Sequence, residues 1–321
     1  MTNYPSVLAP GPDDEQWYRD HGWTEQKSSV PTLAEFLADD DDDYDWLVPG
    51  LLERGDRVIL TGPEGGGKST LCRQLAVQLS AGIHPFGGPV FLPLRVLLLD
   101  LENSVRQTRR ALRPLVAVAG STDLTLAPVV RPQGLDLLQQ EDITYLSSII
   151  EEINPDIVIG GPLYKLAGGD PTDEKTARPV ALLLDRLRTA HDFALVLEAH
   201  SPHASGGGAR PKRPYGASLW LRWPEFGIHL DQDGKVSHWR GQRDERTWPI
   251  QLQRGGAWPW TVVDRERDIL WIQIVQHCQQ IGHRPSHQKV ADAIGSTKTN
   301  VYRAAQEHLA EWEALATKGA E

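Results

Sequence analysis

Short apolar runs bounded by polar residues recur through the middle of the chain, separated by stretches of helical length. Arg57 to Thr61, Val96 to Leu99, Asp156 to Ile159 and Ala194 to Leu197 are rich in Leu, Ile and Val and lack the apolar-polar alternation of a strand with one wet face. Such runs suit strands covered on both sides, as in a parallel sheet. Leu71 to Ser80, Ser104 to Val118, Asp142 to Ile153 and Thr176 to Ala190 have the length and spacing of helices. The alternation predicts βαβ units, and hence an α/β domain over residues 46–263. Past Trp220 the texture becomes hairpin-like: Phe226 to Leu230 and Lys235 to Arg240 flank an Asp233-Gly234 turn. Residues 264–321 read as a small all-helical domain, and no internal repeat is present.

Charge changes the picture only at one end. The chain has 321 residues and a formal net charge of −10. Residues 1–50 carry twelve acids, including the run Asp39 to Asp43, against Arg19 and Lys27, so the whole excess lies there and the body is neutral. Residues 1–45 therefore read as an acidic, partly disordered leader, either a solvated tail or an arm that docks a basic protein partner or mimics DNA. A pI near 5.6 does not argue against DNA binding by the remainder. Two cysteines, the absence of a signal-like N-terminus and apolar runs far short of the roughly 20 residues a membrane span needs suggest a cytoplasmic protein with no membrane contact.

The strongest chemical signal is Gly62-Pro63-Glu64-Gly65-Gly66-Gly67-Lys68-Ser69-Thr70, which fits G-x-x-x-x-G-K-S/T directly after a strand and at the start of a helix. Glycines let backbone N–H groups turn inward around phosphates, and the helix N-terminus adds its positive end. Lys68 is expected to reach the β/γ oxygens from an exposed position, and Ser69 to ligate Mg2+. ATP with Mg2+ is the expected cofactor pair.

The next strand ends Asp100-Leu101-Glu102-Asn103, placing a carboxylate where it can orient water toward a γ-phosphate. The strand Asp156 to Ile159 should carry an aspartate near magnesium at its far end, yet Gly160-Gly161-Pro162 stands there and Asp156 sits at the wrong end. Asp100 or Glu102 is expected to compensate, unless water completes the shell or hydrolysis is slow. A further strand ends Glu198-Ala199-His200, and His200 suits either a γ-phosphate sensor or a core histidine. The Gly-rich stretch after it carries Arg210, Lys212 and Arg213, which suit a segment ordering on a DNA backbone. His200, His203, His229 and His238 have no Cys or carboxylate spacing that supports another metal.

In the last region Ala291, Gly295 and Val301 have helix-turn-helix spacing, with Ala where helices cross, Gly at the turn and Val closing the core. Thr297, Lys298, Asn300 and Arg303 then face outward as candidate DNA contacts. With seven bases and seven acids in residues 265–321, a protein-contact role is the competing reading.

Together GPEGGGKST, DLEN, DIVIGGPLYKL, LEAHSPH and RPYGASLWLRWPEFG, over about residues 46–250, resemble the RecA-like hexameric ATPases of the RepA-type AAA group. The resemblance implies a RecA-like P-loop core, a homo-oligomeric ring and DNA as partner. It implies Glu102 as the catalytic glutamate, a DNA-facing loop after the histidine strand, and arginine fingers acting across the subunit interface, with Arg240 better aligned than Arg243. Gly161 departs from the family's aspartate. Two functions follow: an ATP-driven DNA motor or replication accessory, or a non-motor ATP-gated regulator or loader. A metabolic kinase lacks an evident acceptor lid.

Overall fold

The computed structural model describes residues 30–38, 44–203, 210–241, 246, 248–263, 265–309, 312, 313 and 315. Met1–Tyr44 and Asp45–Glu321 form separate units. Most of the leader lies outside the described residues. Within the first unit, Thr32 starts a short helix, α1 (Leu33–Leu37), that the charge pattern did not predict. Thr32 N–H donates to Glu35 Oε2 at 2.8 Å while Glu35 N–H donates to Thr32 Oγ1 at 3.2 Å, a reciprocal cap encoded by T-L-A-E.

The second unit opens with a small antiparallel pair, β1 (Trp46–Val48) and β2 (Leu52–Glu53). The central elements follow in chain order: β3 (Arg57–Gly62), α2 (Lys68–Ser80), β4 (Val96–Asp100), α3 (Val105–Ala119), β5 (Leu126–Val130), α4 (Gln140–Ile153), β6 (Ile157–Gly161), α5 (Glu174–His191), β7 (Ala194–His200), β8 (Phe226–Leu230) and β9 (Val236–Arg240). They build one seven-stranded sheet of order β5-β4-β6-β7-β3-β8-β9. All neighbours are parallel except β8 and β9.

Apolar runs without alternation are explained by the two faces. Val58, Leu60, Val96, Leu98, Ile157, Ile159, Ala194 and Val196 pack with Leu71, Leu75 and Leu79 of α2 in one buried cluster. Ile59, Leu97, Val158, Leu195 and Leu197 pack with Leu146 and Ile150 of α4 and Val180 and Leu184 of α5 in another. Each strand thus divides its residues by parity between two dry layers. That parity aims Asp100, Gly161 and Glu198 at the α2 face, at the strand ends where the phosphate loop lies.

A second hairpin, β10 (Leu252–Arg254) with β11 (Trp260–Val262), follows the sheet. The last elements are α6 (Arg265–Ile281), α7 (His287–Ile294) and α8 (Lys298–Glu307). They enclose their own core of Trp271, Ile274, Cys278, Val290, Ala291, Val301, Ala304, Ala305 and Trp312. Gly295, at φ 68°, ends α7, and the Thr297 side chain accepts the Asn300 N–H at 3.2 Å to start α8. No helix among the described residues is long and apolar enough to cross a membrane.

Candidate nucleotide site

Between the end of β3 and the first turn of α2, the chain runs through Gly62 to Gly67 and presents the N-terminus of a thirteen-residue helix. Gly67 caps that helix at φ 90°, and a Cβ there would stand 2.7 Å from the Trp260 ring. Trp260 Nε1 donates to Gly67 O at 3.1 Å, and its backbone exchanges two hydrogen bonds with the buried Gln74 amide, at 2.8 and 2.7 Å. The β10–β11 hairpin is therefore clamped on the phosphate loop. Arg254 lies over the Trp260 ring at 5.0 Å and donates to Gly65 O at 3.3 Å.

Lys68 corrects one expectation. Its side chain is buried, 3% exposed, and Nζ donates to Pro63 O at 2.8 Å. Nζ also lies 3.5 Å from His200 Nδ1 and 3.9 Å from Glu198 Oε1. Burial pulls its pKa below the ordinary lysine value, and Glu198 opposes that shift. His200 is pushed down by burial first and by the Lys68 charge second, which leaves a neutral ring able to accept from Lys68. The Tyr164 and His200 rings are 5.9 Å apart. The sequence thus brings Lys68 and His200 together at the site.

Asp100 does not behave as a free magnesium ligand. Asn103 Nδ2 and N–H donate to its Oδ1 at 2.9 and 3.1 Å, while Arg73 and Thr108 donate to Oδ2 at 2.9 and 2.7 Å. With both oxygens engaged and Arg73 beside it, its pKa falls to about 2 despite burial. It ties β4 to α2 and α3. The carboxylate that meets the Ser69 hydroxyl is Glu198, at 2.9 Å, a residue the sequence reading passed over. The available signal was an acid inside the apolar run LVLEAH, where two dry faces leave a charge costly unless paired.

Glu102 sits beyond the tip of β4, exposed, and accepts from Tyr164 Oη at 3.3 Å. Asp156, at the far end of β6, accepts from Arg95 at 2.8 and 3.0 Å and takes no part in the site. Glu64 reaches out of the loop, 2.7 Å from Arg210 and 3.8 Å from His200 Nδ1. Arg210 also donates to Ser201 O at 2.7 Å, so it is docked on the site instead of standing free. Lys212 and Arg213 are exposed.

Arg240 ends β9 opposite Gly227, and β9, the edge strand, runs antiparallel to β8, which separates it from β3, so Arg240 stands at the sheet edge away from its own phosphate loop. Its guanidinium donates to the carbonyls of Pro224 and Leu221. Arg243 lies outside the described residues. On α8, Lys298, Asn300 and Arg303 are exposed, while Thr297 spends its hydroxyl on the helix cap. Among the described residues no group of three or more His, Cys, Asp or Glu is arranged to hold a metal.

Comparison with known proteins places this geometry. A KaiC-like protein from the hyperthermophilic archaeon Pyrococcus horikoshii OT3 is similar in structure at 17% identity and a TM-score of 0.45, covering 68% of this chain and 93% of its own. No curated protein matches. The family model described as AAA domain matches residues 24–206, more than half of the chain. With a P-loop between β3 and α2, the chain belongs to the AAA domain family of P-loop ATPases, and its mostly parallel sheet fits a RecA-like core.

Proposed function

We propose that the protein hydrolyses ATP to drive or gate contacts with DNA, as a ring-forming motor or replication accessory of the RepA-like helicase class. The observation that carries the reading is the 2.7 Å bridge from Arg210, in the basic segment after β7, to Glu64 in the phosphate loop. Nucleotide phosphates arriving beside Glu64 repel its carboxylate and compete for Arg210. Their arrival therefore alters the segment that also carries Lys212 and Arg213, whose charges suit a phosphate backbone. Glu102 orients the attacking water, Lys68 moves from Pro63 O to the β/γ oxygens, and His200 responds to that movement. Magnesium, when bound, offsets the charge on those oxygens. Arg240 serves the site of a neighbouring subunit in a ring.

A second reading, a non-motor ATP-gated regulator or loader, is favoured by the exposed Lys298, Asn300 and Arg303 on α8, which suit a duplex groove. The acidic leader serves as a solvated tail or as an arm that docks a basic protein partner or mimics DNA. ATP turnover with and without single-stranded DNA separates the two. A motor is stimulated, and replacing Arg210, Lys212 and Arg213 by Ala removes the stimulation while nucleotide still binds. Turnover indifferent to single strands, with nucleotide-dependent duplex binding, favours the regulator.

A further inference from the structure

A carboxylate buried inside a strand requires a reason. Glu198 is the fifth residue of β7 and 6% exposed. Burial raises its pKa, against the pull of Lys68. Among the described residues its hydrogen-bond donor is Ser69, the hydroxyl that a P-loop turns toward magnesium. Its partner cation is Lys68, at 3.9 Å.

The sheet order explains how it comes to be there. β7 lies between β6 and β3, with Glu198 in register with Leu60 of the P-loop strand. It stands one strand nearer the phosphate loop than the end of β6. Gly161, at that end, has φ 149°, and a Cβ on it would stand 2.8 Å from Glu198 Cβ, 2.9 Å from its carbonyl oxygen and 3.1 Å from its nitrogen. A side chain at position 161 would thus meet the backbone and Cβ of residue 198, so this backbone leaves the end of β6 without one, and Glu198 on the neighbouring strand is the carboxylate that reaches Ser69. Ser69, Asp100, Glu102, Gly161 and Glu198 border a cavity of about 20 Å³, room for about one water-sized guest. Asp100 has both oxygens committed to Asn103, Arg73 and Thr108, and Glu102 is exposed at the rim.

We infer that Glu198 is the acidic residue of the magnesium site, holding the cation together with Ser69 from the neighbouring strand in place of an aspartate at position 161. The inference rests on the P-loop ATPase reading. Charge balance supplies the second half of the argument. In the free protein Lys68 neutralises Glu198. When Lys68 turns to the β/γ-phosphates, Glu198 is left buried beside an anionic ligand with only Arg73, which Asp100 already holds, to offset its charge, a costly arrangement. A divalent cation between Ser69 and Glu198 removes that cost. Nucleotide binding and cation binding are therefore tightly coupled, and the coupling passes through one side chain.

Glu198→Gln keeps the shape and an acceptor for Ser69 while deleting the charge. Affinity of the full-length chain for a fluorescent ADP analogue is measured with EDTA and with excess Mg2+, and Mn2+ binding to the ADP complex is followed by electron paramagnetic resonance. In the wild type, Mg2+ tightens the nucleotide strongly. In Glu198→Gln that enhancement falls roughly ten- to hundredfold, Mn2+ binding weakens in parallel, and metal-free affinity is equal to wild type or higher. Glu198→Asp, which retains charge at shorter reach, gives an intermediate Mn2+ affinity and serves if the Gln variant does not fold. A folded Glu198→Gln with the wild-type Mg2+ enhancement overturns the assignment. So does loss of the enhancement in Asp100→Asn or Glu102→Gln with Glu198→Gln unaffected. A wild-type chain that binds no nucleotide overturns the ATPase reading itself, a result distinct from these.

Discussion

At Asp100 a single carboxylate receives hydrogen bonds from Asn103, Arg73 and Thr108, so its ionised form is worth more folded than unfolded. Its pKa is about 2 in the fold against 3.8 ordinarily, which corresponds to stability on the order of 2 kcal/mol. The depressed value means this contribution is complete above pH 4 and is lost as pH falls through the range from about 4 to 2. Asp100→Asn should therefore destabilise the protein at neutral pH, and the difference from wild type in urea melts should shrink across that window. A difference independent of pH would mean that packing, not charge, is responsible. Glu102, by contrast, is exposed and its carboxylate accepts from Tyr164, so Glu102→Gln should leave ATP affinity near wild type and remove most turnover. Retained turnover would assign water orientation to another group. Lys68→Ala removes the cation aimed at the phosphates, and nucleotide affinity should fall by about tenfold or more. Equal affinity would sink the P-loop assignment. Because Lys68 is buried against Glu198, this variant should also melt earlier without nucleotide, which an exposed lysine would not cause.

Among elements, the strands that form the middle of the sheet were legible because burial on both faces leaves an unbroken apolar run, as in Val96 to Leu99. The edge strand β5 was not, since Leu126-Ala-Pro-Val-Val has a proline at its centre. Pro128 is tolerated there because β5 pairs with β4 on one side only. The β10–β11 hairpin was also missed: its strands have three residues each, and Gly255 and Gly256 read as loop. Yet that hairpin positions Trp260 on the phosphate loop. Glu198 was hidden for a different reason, because its partner Ser69 is 129 residues away and only strand order brings them together. Gly67 joins these elements in one prediction. Its φ of 90° strains any other residue, and an added Cβ meets Trp260 at 2.7 Å. Gly67→Ala should cost about 1–3 kcal/mol and weaken nucleotide binding. Trp260→Ala alone should cost about 3–5 kcal/mol. If the clash is the main penalty, the double variant should lose clearly less than the two single losses together. Additive losses in chemical denaturation would place the whole penalty of Gly67→Ala in the backbone.

For the whole molecule, the two proposed DNA surfaces differ in kind, and the difference is measurable because their supports are separate. The nucleotide site draws on β3, β4, β7, α2 and the β10–β11 hairpin, all before residue 264. Among the described residues the last three helices close a core drawn from residues 270 to 315, distinct from the two clusters that flank the sheet. Deleting residues 265–321 should therefore spare basal ATPase. It should remove any preference for a duplex site that Lys298, Asn300 and Arg303 carry, because side chains on the exposed face of α8 are suited to base edges as well as phosphates. Replacing Arg210, Lys212 and Arg213 by Ala acts otherwise. These residues offer charge without a fixed frame for base edges, so single-strand affinity should fall for all sequences and the logarithmic salt dependence should shrink by about two to three units. Arg210 is the residue within this set proposed to respond to nucleotide, because Glu64 of the phosphate loop holds it. Arg210→Ala alone should thus abolish the difference in single-strand affinity between the ATP-bound and nucleotide-free chain, whereas Lys212→Ala should lower both affinities alike. Salt-titrated binding to single-stranded and duplex DNA, with and without a non-hydrolysable ATP analogue, measures all of these. Truncation without effect on either DNA would make α6–α8 a protein-docking module. An Arg210→Ala chain that still responds to nucleotide would break the proposed link between the phosphate loop and the basic segment.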